Sequence, residues 1–334
     1  MRTRIAAALI LAATLAACSS AAEDQAAKAR IFSPEDPPKV LQAAAEELDA
    51  AKLGGDRELV ERVFAISGQE AAARVGPHVQ KSKVSFKWTG GDRTVDLAED
   101  RMVALGKGGD FHVRISNDEK QGMEWVKVKG VSYARSRYAK FRERRRDRGS
   151  SEHVVASAYS TLATFRDWVH GAVRLTPAGS TTVGGRKALK YTVALGEAKP
   201  PEADERLPEV VFPKGGPDAE TALRIAAIQN GKPQSVSGTL VVDEATAVPL
   251  QADLKAAVLV SGEKGDARLE LAVRIDVEGL GKEPAIEVPE HIEDAARPPG
   301  VVATLEAYGI PRASAEEADA AKKSADEKPA PDDE

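Results

Sequence analysis

Apolar and polar positions alternate with a period of two over much of the middle and the end of this chain. Val84, Phe86 and Trp88 alternate with Lys83, Ser85 and Lys87, and Val95 and Leu97 continue after Gly90-Gly91-Asp92. Met102 to Leu105 is a short apolar run that ends at Gly106-Lys107-Gly108-Gly109. Phe111, Val113 and Ile115 alternate with His112 and Arg114, and Met123–Val128 and Val131–Ser136 flank Gly130. Such runs, punctuated by glycine, predict successive strands of an antiparallel meander with one wet and one dry face. The period returns after Leu175. Thr181–Val183 and Ala188–Leu195 flank Gly184-Gly185, and Ser237–Asp243 precedes alternating runs from Leu250 to Val260 and from Leu269 to Val277. Ile286 and Val288 read as a short edge piece. The total expected is nine to eleven strands.

Three stretches carry the helical period instead. Lys39–Lys52 is stopped by Gly54-Gly55, and Arg57–Val75 starts beside Asp56, a residue suited to capping. Between the two strand regions, Val154, Ala158, Leu162, Phe165 and Val169 recur at three- and four-residue steps. They predict one amphipathic helix over Glu152–His170. Residues 197–235 contain Pro200, Pro201, Pro208, Pro213, Pro217 and Pro233 and read as a long excursion, with a short helix at Ala219–Ile228. After Ile310 no large apolar residue remains. Residues 313–334 hold eight acids against three bases and are expected to be a disordered acidic tail.

The N-terminus has a different pattern. Arg2 and Arg4 precede an apolar run over Ile5–Leu15, followed by Leu15-Ala16-Ala17-Cys18 and then Ser19. The run is too short to span a bilayer, which takes roughly twenty residues, and has the form of a secretory signal. With a cysteine at the cut, it resembles a bacterial lipoprotein signal with its lipobox. That resemblance implies removal of residues 1–17 and acylation of Cys18, the one cysteine in the chain. It also implies a membrane partner through the lipid anchor. Ser19 resembles the outer-membrane sorting signal, which places the protein in the cell envelope facing the periplasm. Residues 18–55 are then the lipidated N-terminus and tether.

Composition narrows the chemistry. The net charge is −5, and about −7 once Arg2 and Arg4 are lost, which argues against a nucleic-acid partner. His78, His112, His153, His170 and His291 are dispersed, with no metal-ligand spacing. No nucleophile elbow or phosphate-binding loop occurs, and nothing in the sequence points to a cofactor or to catalysis. The run from Arg142 to Arg148 is the one charged feature above background. It reads either as a solvated loop balanced by Glu143, Asp147 and Glu152 or as a contact for anionic lipid headgroups.

The lipobox, the leading helix, the meander, the mid-chain helix and one hairpin together resemble LolA/LolB-like envelope lipoproteins, including sensors of the RseB kind. The hairpin is Gly238-Thr239-Leu240-Val241-Val242-Asp243 followed by Ala247-Val248-Pro249-Leu250. The resemblance implies an α+β fold: a large curved antiparallel sheet, a half β-barrel, with helices covering its concave face over residues 56–290. Residues 291–334 would be a C-terminal extension. It further implies an apolar cavity for an acyl lipid or a lipidated protein. Phe86, Trp88, Phe111, Trp125, Tyr191 and Leu254 are the expected lining. The alternative is a non-enzymatic structural or sensor lipoprotein whose core is filled.

Overall fold

A computed structural model describes residues 43–90, 93–144, 147, 149–198, 219–261 and 265–293. Cys18, the tether to residue 42, residues 199–218 and the acidic tail lie outside the described residues.

Twelve strands form one open sheet. They are β1 (His78–Gly90), β2 (Arg93–Leu105), β3 (Phe111–Asn117), β4 (Gly122–Val128), β5 (Val131–Ser136), β6 (Phe141–Glu143), β7 (Val173–Val183), β8 (Arg186–Leu195), β9 (Gly231–Asp243), β10 (Pro249–Val260), β11 (Ala267–Glu278) and β12 (Ile292–Glu293). Their spatial order is β12-β6-β5-β4-β3-β2-β1-β11-β10-β9-β8-β7. Two meanders therefore meet where β1 pairs with β11, with Val84 opposite Val273 and Phe86 opposite Leu271. Every neighbouring pair is antiparallel except β12 with β6. The sheet does not close into a barrel, and β7 and β12 are its edges.

The helices are α1 (Arg57–Phe64), α2 (Gly68–Val75), α3 (Ser150–Tyr159), α4 (Thr161–Trp168) and α5 (Ala219–Asn230). The mid-chain helices explain the order of elements. β6 ends near one edge and β7 begins at the other, so α3 and α4 carry the chain across one face of the sheet, over β2–β4 and β11. Even-numbered β1 side chains face these helices. Ser82 Oγ is 3.2 Å from Thr161 Oγ1, and the Phe86 and Trp168 rings meet edge to face at 5.5 Å. One apolar core fills the space between.

Two helical stretches are each broken once. The Arg57–Val75 stretch is interrupted at Ala65–Ser67, because Ser67 Oγ accepts from Glu70 N at 3.2 Å and starts a new helix. The Glu152–His170 stretch breaks at Ser160, whose ψ of 29° leaves the helical range and whose Oγ donates to Ser157 O at 3.2 Å. The leading helix over Lys39–Lys52 is not continuous either, since Ala50–Gly54 forms a 3-10 turn.

The strands also differ from expectation at three places. Val95–Leu97 and Met102–Leu105 belong to one strand, β2. β9 begins at Gly231, so Pro233 lies inside a strand, at a register shift opposite Val258. The far edge piece is Ile292–Glu293. Ile286 instead packs on a second apolar cluster of Val126, Val128, Tyr133 and Phe141, on the face away from the helices. The hairpin turn falls between Asp243 and Pro249, and Arg186 clamps Asp243 through Nε at 2.7 Å and Nη2 at 2.9 Å. Gly238, at φ +140°, is required in β9: a Cβ there would sit 2.0 Å from Asp253 O.

Candidate functional site

The helix-side face has little room. Phe86, Trp88, Phe111, Trp125, Tyr191 and Leu254 come from five different strands, and all are buried in one core cluster. Tyr191 Oη donates to Ala50 O at 2.5 Å, and Leu254 lies opposite Val273. A cleft of about 50 Å³ remains between the sheet and α4, lined by Val84, Phe86, Leu97, Phe165, Trp168 and Val273 with polar groups at its rim. Of the six expected lining residues, only Phe86 reaches it.

Deeper along β1, His78 is fully buried. Its Nδ1 lies 2.9 Å from Gly76 O and must donate, so Nε2 accepts from Tyr159 Oη at 3.0 Å. Burial pushes the His78 imidazole below its usual range and the Tyr159 hydroxyl above its own. The pair is neutral and serves as a hydrogen-bonded plug between β1 and α3.

The opposite face carries a groove of about 720 Å³. Register builds its floor from two rows that run across six strands. One row is Asp276, Lys81, Met102, Arg114, Glu124 and Arg135. The second, displaced by two residues, is Arg274, Lys83, Asp100 and Ser116, then Gly122, with Arg137 at its end. Side chains two residues apart on a strand share a face, so both rows project away from the helices. Ser82 and Ile115, between the rows, point to the core side. Seven cations and three carboxylates line the groove. Arg101 sends its guanidinium to Ser157 O on the helix side, so the floor itself carries six cations and a net of three positive charges.

Most of these charges are tied down at the margins. Lys81 reaches Glu278 at 2.6 Å, Lys83 reaches Asp100 at 3.5 Å, and Arg274 Nε reaches Asp276 at 3.2 Å. Arg137 donates to Asn117 O at 3.1 Å. Glu124 is held from two sides, by His112 Nε2 at 2.6 Å and Arg135 Nε at 2.8 Å. The His112 hydrogen bond first, and then Arg135, bring its carboxyl down to about 2 from the ordinary 4.5. Arg114, in the middle of the longer row, is exposed and has no hydrogen-bond or ion-pair partner among the described residues.

The depressed Glu124 carboxyl has a testable acid limb. The folded state binds its proton less readily than the unfolded chain, so the stabilisation is complete above pH ~4.5 and is lost as pH falls toward 2. In urea titrations, the stability difference between wild type and Glu124→Gln should therefore be constant at neutral pH and vanish near pH 2. A difference that persists at pH 2 would show that Glu124 acts through something other than its charge.

The basic run is only partly described. Arg142 Nε pairs with Glu293 at 2.6 Å, and Arg144 lies over the Trp125 ring at 5.6 Å from its centroid. Asp147 accepts from Ser151 N at 2.8 Å and so caps α3. Arg145, Arg146 and Arg148 lie outside the described residues. Among the described residues no group of three or more His, Cys, Asp or Glu could hold a metal ion.

The groove was hidden in the sequence because every contributing residue reads, strand by strand, as an ordinary wet-face charge. Only the cross-strand register lines them up.

No protein-family description and no curated protein matches the chain. Solved structures do. MucB is 14% identical, with 71% of this chain matched to 65% of that chain and a TM-score of 0.25. A DUF1329 family protein from Desulfovibrio piger is 11% identical, covering 73% of this chain and 96% of that one, with a TM-score of 0.20. A putative outer membrane lipoprotein-sorting protein domain from Vibrio parahaemolyticus is 7% identical, covering 70% and 92%, also with a TM-score of 0.20. The chain spans less than two thirds of the MucB chain. At these identities and TM-scores the matches transfer no function to this chain.

Proposed function

We propose that this chain is a lipid-anchored, non-catalytic binding protein of the cell envelope that holds an acidic polypeptide segment along the groove. The observation that carries this reading is the pair of cross-strand rows and their net positive charge. Ligand sites occupy about 300–1,000 Å³, a range that includes the groove and excludes the helix-side cleft. Shape favours a polypeptide over a compact ion. Six strands at about 4.8 Å spacing give a floor ~24 Å long, which suits roughly seven extended residues at ~3.3 Å each. The half-buried Met102, in the row between Lys81 and Arg114, adds adaptable apolar contact beside the charges.

The test uses Arg114. Its guanidinium is central and has no partner among the described residues, so Arg114→Glu changes the groove by two charges without breaking a described bond. Anisotropy of a labelled acidic peptide of about twenty residues should show affinity falling about tenfold, with stability within ~0.5 kcal/mol of wild type. Unchanged affinity would remove the groove as the binding site.

A second reading keeps an acyl ligand on the helix side, among Phe86, Trp88, Phe111, Trp125, Tyr191 and Leu254. The cleft beside α4 favours it, and ligand entry would require α4 to lift from the sheet. In both readings, lipidation of Cys18 holds the domain at a membrane. Mass spectrometry of the mature N-terminal peptide, which should begin at an acylated Cys18, tests that anchor.

A further inference from the structure

Downstream of β11 the chain runs back across the groove's own face. It turns at Gly279–Gly281, where Gly281 N donates to Pro77 O at 2.8 Å. Glu283 Oε1 then accepts from Lys107 N at 2.8 Å, and Ile286 covers Val126 and Tyr133. Val126 and Tyr133 lie in the cross-strand row next to that of Glu124 and Arg135, on the same face of the sheet. The strap ends in β12, paired in parallel with β6 and fastened by Arg142 to Glu293 at 2.6 Å. β12 is two strand positions from β5, which carries Arg135. The described chain thus ends at the sheet edge, two strands from the strand that carries Arg135.

The C-terminal sequence is complementary to the groove in charge. Residues 313–334 carry Glu316, Glu317, Asp319, Asp326, Glu327, Asp332, Asp333 and Glu334 against Lys322, Lys323 and Lys328. Their net charge of −5 faces a groove of net +3. Reach is ample, since residues 294–312 extended at ~3.3 Å each span about 60 Å, more than twice the ~24 Å groove.

Resting on the acidic-segment reading above, we infer that the groove's occupant in the unliganded protein is the chain's own segment 313–334. A partner must displace it. A segment tethered this closely competes at an effective concentration near millimolar, so a groove that binds acidic segments at ~100 μM would be masked about tenfold. Contacts of this kind lie at the surface and are screened by salt.

The test compares the full chain in detergent with a full-length variant whose eight tail acids are neutralised: E316Q, E317Q, D319N, D326N, E327Q, D332N, D333N and E334Q. The probe is the same labelled acidic peptide. The neutral-tail variant should bind it about tenfold more tightly at low salt, the gain should shrink at 0.5 M NaCl, and R114E in that background should abolish it. Equal binding by both chains, with each weakened by R114E, overturns self-occupancy and leaves the groove reading standing. A gain that R114E does not touch places the tail elsewhere and overturns the inference. No binding by either chain overturns both.

Discussion

Replacing Glu70 with alanine should lower the free energy of unfolding by about 3–5 kcal/mol, because it strands a buried charge. Glu70, on α2, is 4% exposed, and Arg74 beside it has a side chain equally buried. Arg74 Nε donates to Glu70 at 2.9 Å, and Arg62 Nη1 donates to it at 3.0 Å. The remaining Arg74 donors reach Glu46 O at 2.9 Å and Ala43 O at 2.5 Å. Without Glu70, Arg74 keeps only these carbonyl partners, which orient the guanidinium but cannot neutralise it. The exposed pair Lys52–Asp49, at 3.3 Å, is the contrast, and Lys52→Ala should cost less than ~1 kcal/mol. The site also reaches beyond the two helices, because Ala43 and Glu46 lie at the start of the described residues. The clamp therefore fixes the first described residues of the chain against α1 and α2. Guanidinium unfolding of the two variants decides the matter, and a loss below 1 kcal/mol for Glu70→Ala would show that the clamp is dispensable.

The two faces of the sheet explain which features the sequence displays. β11 alternates strictly, from Leu269 to Val277 inward and Arg268 to Asp276 outward, because one side meets the core and the other water. Strands of that kind are legible from their period alone. β2 is harder, because Glu99, Asp100 and Arg101 interrupt it and suggest a break. The strand passes through because Arg101 Nη1 finds Ser157 O at 3.2 Å, at the end of α3, and Asp100 faces the groove. The helix breaks at Ser67 and Ser160 depend on single hydroxyls that compete with the backbone, a local choice that periodicity does not register. The groove is a step further removed. Lys81 and Asp276 are neighbours only because β1 pairs with β11, strands at opposite ends of the sequence. No local pattern encodes that pairing. An aromatic-rich dry face draws attention as a binding cavity, whereas here it supplies the packed core. The wet face carries the space, and with it Arg114, which has no partner among the described residues.

Phe86→Ala should be the most costly single change in the core facing α4, at about 3–5 kcal/mol, and it separates the two functional readings. Phe86 is 2% exposed, stands on β1 between Leu97 and Leu271, and meets Trp168 edge to face at 5.5 Å. An aromatic pair of this geometry contributes about 0.5–1.5 kcal/mol beyond the area it buries. Truncation leaves a void that opens directly into the existing cleft of about 50 Å³. If the helix side is the ligand site, the enlarged cleft should take up a fluorescent fatty acid more tightly than wild type, and that ligand should recover part of the lost stability by binding the folded state. If the groove is the site, the folded fraction of Phe86→Ala should bind the acidic peptide as wild type does, because Phe86 and Arg114 lie on opposite faces of the sheet. The variant should then show no saturable fatty-acid uptake. Stability, peptide affinity and fatty-acid uptake measured on this one variant thus assign the ligand to one face of the sheet.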